Sequence, residues 1–75
     1  MISITGRVID MFGTPLENVS VISPGQGFTL TDDKGKFEIS LPQGERILTF
    51  LHRSFKKNTL AIYCDRPIDI EVKMR

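Results

Sequence analysis

The sequence has few of the residues on which most catalytic, metal-binding and stacking sites depend. Its 75 residues include one cysteine, one histidine, one tyrosine and no tryptophan. The single cysteine, Cys64, excludes an intrachain disulfide and a cysteine-cluster zinc site, and we expect it to be a small buried hydrophobic residue. A nucleophilic Cys64 would have only His52 as its base, and nothing else in the chain would orient that imidazole. The shortage of tyrosine and tryptophan disfavours a surface that stacks on bases or sugars.

The charge balance and the short hydrophobic runs disfavour a nucleic-acid-binding or membrane-spanning protein. The formal net charge is +1, so the chain lacks the overall positive field that draws a domain to nucleic acid or to an anionic membrane. No stretch approaches the roughly 18 apolar residues of a membrane span, and the first residues do not form a signal peptide. We therefore expect no direct membrane insertion and no nucleic-acid partner.

Turn residues recur at short intervals, and this spacing predicts a chain made of strands. Glycine, proline and aspartate mark turns at 13–15, 24–27, 32–35, 42–44 and 65–67. The runs between them are rich in Val, Ile, Thr and Phe, and no window carries a capped helical stripe. The predicted strands are 2–9, 18–23, 28–31, 36–41, 46–52, 58–64 and 68–74. We expect one domain, residues 1–75, with an all-β fold of seven antiparallel strands in a sandwich.

Alternation of apolar and polar residues predicts which side chains face the core. In the fourth strand Phe37, Ile39 and Leu41 are apolar and their neighbours are polar, which is typical of a strand with one wet face. The fifth strand is apolar on both sides. If its Leu48 and Phe50 point inward, Ile47 and Leu51 point outward. Either a loop or strand edge partly covers those two residues, or they form a contact patch for another domain or another copy.

Two segments carry a resemblance to a known family. They are residues 6–21, GRVIDMFGTPLENVSV, and residues 31–44, TDDKGKFEISLPQG. The matching positions are Gly6, Val8, Asp10, Gly13, Pro15, Leu16, Val19, Val21, Thr31, Asp32, Gly35, Phe37 and Ile39, followed by Leu48 and Phe50. With them the chain resembles the carboxypeptidase regulatory-like family of transthyretin-like modules. Where that family commonly has Gly-Tyr, this chain has Ser54-Phe55, which keeps the aromatic residue and lacks the glycine.

The resemblance implies a prealbumin-like, immunoglobulin-like sandwich without catalytic residues or cofactors. It implies an extracytoplasmic accessory domain with a structural or protein-interaction role, in the periplasm or cell envelope. Such modules occur in TonB-dependent outer-membrane receptors and in other cell-surface or secreted proteins. The implied partner is a protein, either other domains of a parent chain or a second copy. An exposed edge strand or the side of Ile47 and Leu51 would make the contact.

One turn invites a metal-site interpretation. Asp32 and Asp33 precede Gly35, as in a fragment of a calcium loop. The further oxygen ligands of such a loop are missing, and Lys34 lies between the acids and the glycine. We expect a hairpin turn instead, in which Asp32 accepts backbone N–H groups and Gly35 adopts a positive φ.

The densest basic stretch offers a second functional interpretation. Arg53, Lys56 and Lys57 surround Phe55, which could stack on single-stranded nucleic acid in a small β-barrel. A solvated turn with Phe55 directed into the core explains the same residues, and the sequence shows no second basic stretch to extend the site. Seven predicted strands also exceed the five of an oligonucleotide-binding barrel. A carbohydrate-binding module is a further alternative, which the few aromatic residues disfavour.

Overall fold

The strands of the computed structural model, which describes residues Met1–Arg75, follow the alternation of the sequence closely. They are β1 (Ile2–Ile9), β2 (Ser20–Ser23), β3 (Gly27–Leu30), β4 (Lys36–Leu41), β5 (Gly44–Leu51), β6 (Asn58–Cys64) and β7 (Ile68–Lys73). The prediction of an all-β chain with seven strands is confirmed. The structure has no helix long and apolar enough to cross a bilayer.

The strands form two sheets that pack face to face. One sheet has three strands in the order β4-β1-β7, and the other has four in the order β3-β2-β5-β6. All pairs are antiparallel except β1 with β7, which run parallel with Ile4 opposite Ile68 and Val8 opposite Val72. The sandwich is therefore as predicted, but the expectation of antiparallel pairing throughout is wrong at this one pair. The connection after β6 carries the chain across to the other sheet, where β7 lies beside β1 in the same direction.

The core fills the space between the sheets. Its buried side chains are Ile4, Val8, Leu16, Val19, Val21, Phe37, Ile39, Leu41, Leu48, Phe50, Cys64, Val72 and Met74. The rings of Phe37 and Phe50 meet edge to face across the two sheets, with centroids 5.8 Å apart. The inward positions predicted for β4 are confirmed by this set, and Leu48 and Phe50 of β5 also point inward. Each buried aliphatic or aromatic side chain contributes about 1.5–3 kcal/mol of transfer free energy.

A buried threonine fixes the start of β2. The hydroxyl of Thr31 donates to the carbonyl of Leu16 at 2.7 Å and accepts the backbone N–H of Val19 at 2.9 Å. Asn18 has a φ of 63°, which turns the chain just before these contacts. Regular pairing therefore begins at Ser20, two residues later than the sequence predicted.

Candidate functional site

The outer surface of the three-stranded sheet is polar, and its side chains pair with one another. Ser3 donates to Glu38 at 2.8 Å, and Thr5 donates to Asp69 at 3.0 Å. Arg7 forms an ion pair of 3.4 Å with Glu71. We call this surface the polar face. These six side chains therefore already have partners within the chain.

The outer surface of the four-stranded sheet has the opposite character. Its apolar members, which together we call the apolar face, are Ile22, Phe28, Leu30, Ile47, Leu51, Ala61 and Tyr63. Phe28 is 70% exposed, Tyr63 59%, and Leu30 and Ile47 50% each. The register places these residues side by side across four strands, because Ile22 lies opposite Phe28 and Ile47 lies opposite Ala61. Five of the eight exposed large hydrophobic residues of the chain therefore share this one surface.

Three small hydroxyl side chains lie among these apolar residues. They are Ser20, Thr49 and Thr59, with Ser20 opposite Leu51 and Thr49 opposite Thr59.

Ile47 and Leu51 lie on the apolar face, as the alternation of the fifth strand predicted. No loop of the chain covers them, since Leu51 is 39% exposed and Ile47 half exposed. Strand β5 is interior to its sheet, so a partner would meet these residues face on and not by strand addition at an edge. Their role in partner binding remains a prediction.

Sequence reasoning missed Phe28, Leu30 and Tyr63 as members of this surface. A signal for β3 was present, because Phe28 and Leu30 flank Thr29 and so share one side of the strand. The sequence could not show that this side faces outward. That follows only from the register with β2, where Thr29 lies opposite the buried Val21.

The basic residues predicted as partner contacts separate into two places. Arg53 lines a groove at the end of the apolar face together with Leu51 and Glu17. Lys56 and Lys57 lie in a different groove of about 270 Å³. Lys73 and Arg75 line that groove too, because the backbone N–H of Lys56 donates to the carbonyl of Arg75 at 2.8 Å. The fold thus places Lys73 and Arg75, which are distant along the chain, beside Lys56 and Lys57.

Phe55 is unavailable as a stacking platform. It is half-buried against the core and meets the ring of His52 edge to face, with centroids 5.3 Å apart. His52 is itself half-buried, and its Nδ1 accepts the backbone N–H of Ser54 at 3.1 Å. The interpretation of this stretch as a turn with an inward aromatic residue therefore fits the structure, whereas a nucleic-acid interface built on Phe55 does not.

The side chains of Asp32 and Asp10 each accept hydrogen bonds from backbone N–H groups of the turn in which they lie. One carboxylate oxygen of Asp32 accepts the N–H groups of Lys34 and Lys36, each at 2.9 Å. The same atom of Asp10 accepts N–H groups two and four residues further along the chain, at 2.8 and 2.9 Å. The bonds from Lys36 and Lys34 lower the pKa of the Asp32 carboxyl. No three His, Cys, Asp or Glu side chains lie close enough together to hold a metal ion.

The glycine of each of these turns has a positive φ. Gly13 has a φ of 85° and Gly35 a φ of 75°, as the sequence predicted for Gly35. A Cβ at Gly35 would also lie 2.5 Å from the carbonyl oxygen of Val8. These residues of the two family-like segments therefore have structural roles.

Cys64 and His52 lie at opposite ends of the four-stranded sheet. Cys64 is fully buried opposite Gly44, the first residue of β5, whereas His52 follows the last residue of that strand. Burial raises the pKa of the Cys64 thiol, so the thiolate is disfavoured. The arrangement does not bring a nucleophile and a base together.

Comparisons with known proteins agree with this architecture. The family model described as CarboxypepD_reg-like domain matches residues 4–75. A search among curated proteins finds no match. One chain of a crystal structure of a type II cohesin-X-dockerin complex from Acetivibrio cellulolyticus, a C-terminal interface mutant, is similar with a TM-score of 0.86 and 16% identity. The match covers 99% of this chain and 57% of that chain, so this chain spans just over half the length of the solved one.

At that identity the likeness establishes the fold of the chain and nothing more specific. The family assignment has a separate basis, because the matched segment runs from Ile4, within β1, to the last residue and includes β2 to β7 in full. The sequence resemblance and the two-sheet structure agree with it. The chain belongs to the CarboxypepD_reg-like domain family.

Proposed function

We propose that this chain is a non-catalytic accessory domain that binds protein through its apolar face. The observation that carries the proposal is the contrast between the two outer surfaces of one sandwich. The polar face pairs its own side chains, whereas the apolar face leaves Phe28, Leu30, Ile47 and Tyr63 at least half exposed. A sheet with one buried surface ordinarily carries polar residues on the other. An apolar outer surface favours contact with another protein.

The size of the apolar face supports the proposal. Strands about 4.8 Å apart, with a rise of about 3.4 Å per residue, make this sheet about 25 Å long at β5 and β6 but only about 14 Å long at the four-residue β2 and β3, a surface of roughly 400 Å². Apolar patches of about 300–600 Å² are the largest that monomeric proteins usually expose, and they often mark binding sites. Burial of such a patch would contribute on the order of 10 kcal/mol before the costs of association.

The cellular setting that we propose is extracytoplasmic. Its support is the family, whose members the sequence resemblance associates with TonB-dependent outer-membrane receptors and other surface or secreted proteins. In such a parent chain the domain would lie in the periplasm or the cell envelope and contact a neighbouring domain or protein. The solved complex of cohesin with X-dockerin has a chain of the same fold, which is compatible with a role in protein contact.

Site-specific photo-crosslinking tests this function in the organism from which the chain derives. A photoreactive amino acid would replace Phe28 or Leu51 on the apolar face, or Thr5 or Glu38 on the polar face as matched controls. We expect the first two positions to form crosslinks to one discrete protein that mass spectrometry identifies, and the controls to form none. Crosslinks of equal yield from both faces, or none from either, would contradict the proposal.

A further inference from the structure

We infer that the free edge of β6 binds an extended segment of another polypeptide, which adds to the four-stranded sheet as a fifth strand and ends in acidic residues. This site lies beside the apolar face and goes beyond the proposed function. It is on the side of the sandwich where β6 and β7, the edge strands of the two sheets, make little contact with each other. The inference rests on the backbone of β6, on the side chains next to it and on the charges at one end of the strand.

Of the four sheet edges, β6 is the one without features that discourage strand pairing. The edge strand β3 has only four residues, and β4 and β7 carry charged residues at alternate positions. β6 has seven residues, none of them charged, proline or glycine, and it pairs with β5 without a bulge. Short length, charges, prolines and bulges are the usual protections of sheet edges, and a long, regular edge strand without them readily accepts another strand.

The outer backbone groups of β6 are free to make this pairing. Residues 59–64 form backbone hydrogen bonds with β5 alone. In an antiparallel ladder a strand turns half of its N–H and C=O groups toward its neighbour and the other half away from it. An added strand would therefore meet a row of donors and acceptors about 20 Å long.

The inward side chains next to this edge are incompletely covered. Leu60 and Ile62 of β6 pack against the core but remain only half-buried, and so do Ile68 and Ile70 of β7. On the opposite side of the sandwich, where β3 contacts β4, the inward side chains of β4 are all buried. A segment with apolar residues at alternate positions would cover the aliphatic groups beside β6 and so gain the free energy of their burial.

The acidic end of the segment follows from the charges at the start of β6. A groove at that end is lined by Lys56, Lys57, Asn58, Lys73 and Arg75. None of these residues is acidic, and none of the four cations has an ionic partner in the chain. Asn58 joins the two edge strands there, because its Nδ2 donates to the carbonyl of Lys73 at 3.4 Å. Carboxylates of an added strand would therefore meet complementary charges in this groove.

The pairing of the sheet also predicts the direction of the segment. All strand pairs of the four-stranded sheet are antiparallel, and antiparallel pairing is slightly more stable per residue than parallel pairing. The acidic residues beside the start of β6 are then the last residues of the segment. At the far end of β6 Asp65 forms an ion pair with Arg66, so that end does not present charge of a single sign.

Two synthetic peptides test the charge and the edge. Both alternate threonine and valine over the length of β6; one then ends in a run of glutamates and the other in a run of lysines. In nuclear magnetic resonance titrations we expect the glutamate peptide to shift the amide resonances of β6 and to bind about tenfold more tightly than the lysine peptide. Equal affinities, shifts confined to another strand, or no binding up to about 1 mM peptide would overturn the inference.

Backbone methylation of the glutamate peptide shows whether it binds as a strand. Methyl groups on the alternate N–H groups that face β6 would prevent pairing, whereas methyl groups on the other set would face solvent. Of two peptides methylated on one set or the other, one should keep the affinity of the unmodified peptide and the other should lose about tenfold or more. Equal effects of the two methylations would exclude strand addition.

A charge reversal in the chain provides the matched test of the groove. Lys57→Glu should weaken binding of the glutamate peptide by about fivefold and strengthen binding of the lysine peptide. Lys36→Glu, at an exposed position of the edge strand β4, is the control and should change neither affinity. The same effect from both variants would show that the groove does not select the acidic end. If no peptide binds while Phe28 still forms photo-crosslinks, this inference fails and the proposed function stands.

Discussion

At the scale of the residue, Gly6 shows how tightly neighbouring strands of the three-stranded sheet pack on the side of the core. It lies in β1 between the inward-facing Ile4 and Val8, where its missing side chain makes room for the ring of Phe37. A Cβ at Gly6 would lie 2.6 Å from that ring and 2.7 Å from the carbonyl oxygen of Ile70. The ring is packed in the core and the carbonyl belongs to the neighbouring strand β7, so neither can move freely.

We predict that Gly6→Ala lowers the free energy of unfolding by about 2 kcal/mol, since overpacking a core typically costs about 1–3 kcal/mol. Chemical denaturation followed by circular dichroism would measure it. Thr5→Ala, on the polar face of the same strand, is the control and should change the free energy by less than about 1 kcal/mol. If Gly6→Ala lowered the free energy of unfolding no more than Thr5→Ala does, the core would be able to rearrange around the added methyl group.

At the scale of the element, β5 has apolar residues on both surfaces of its sheet. One surface packs in the core and the other is the exposed apolar face. Leu48 is fully buried in the core, whereas Leu51 is 39% exposed on the apolar face. We predict that Leu51→Asp leaves the free energy of unfolding within about 1 kcal/mol of wild type and weakens partner binding. Leu48→Asp places an unpaired carboxylate in the core and should cost more than about 4 kcal/mol. Denaturation curves of both variants would check this, and an unfolded Leu51→Asp would place Leu51 in the core.

The elements also show what local sequence can and cannot predict. The predicted bounds of β4 and β6 agree with the structure to the residue, and in β4 the alternation of one wet and one buried surface also fixes the register. The start of β2 was predicted too early, since the contacts of Thr31 with Leu16 and Val19 join residues far apart in sequence. The apolar face was only half predicted for the same reason. Ile47 and Leu51 stand out within one strand, whereas Phe28 and Tyr63 join them only through pairing between strands.

At the scale of the whole molecule, the parallel pairing of β1 with β7 determines where the chain enters and leaves the sandwich. Ile9, the last residue of β1, lies opposite Lys73, the last residue of β7. Ser3 is therefore near one end of the molecule and Lys73 near the other, along a longest dimension of 32 Å. Within a longer protein, a domain with this topology would hold the preceding and following segments apart. The alternation of apolar and polar residues cannot predict whether β1 and β7 run parallel, because it is the same for parallel and antiparallel neighbours.

Distance measurements between spin labels would test this topology directly. We predict a backbone separation of about 20 Å between labels at Ser3→Cys and Lys73→Cys, in a Cys64→Ser background, because six residues of extended strand separate Ser3 from the row of Lys73. Double electron–electron resonance would measure it, with unlabelled chain in excess to remove contributions between molecules. Labels at Arg7→Cys and Glu71→Cys, which are direct neighbours across the two strands, provide the short-distance control. If β1 and β7 were antiparallel, Ser3 would lie within about 10 Å of Lys73. That result would exclude the parallel pairing of β1 with β7.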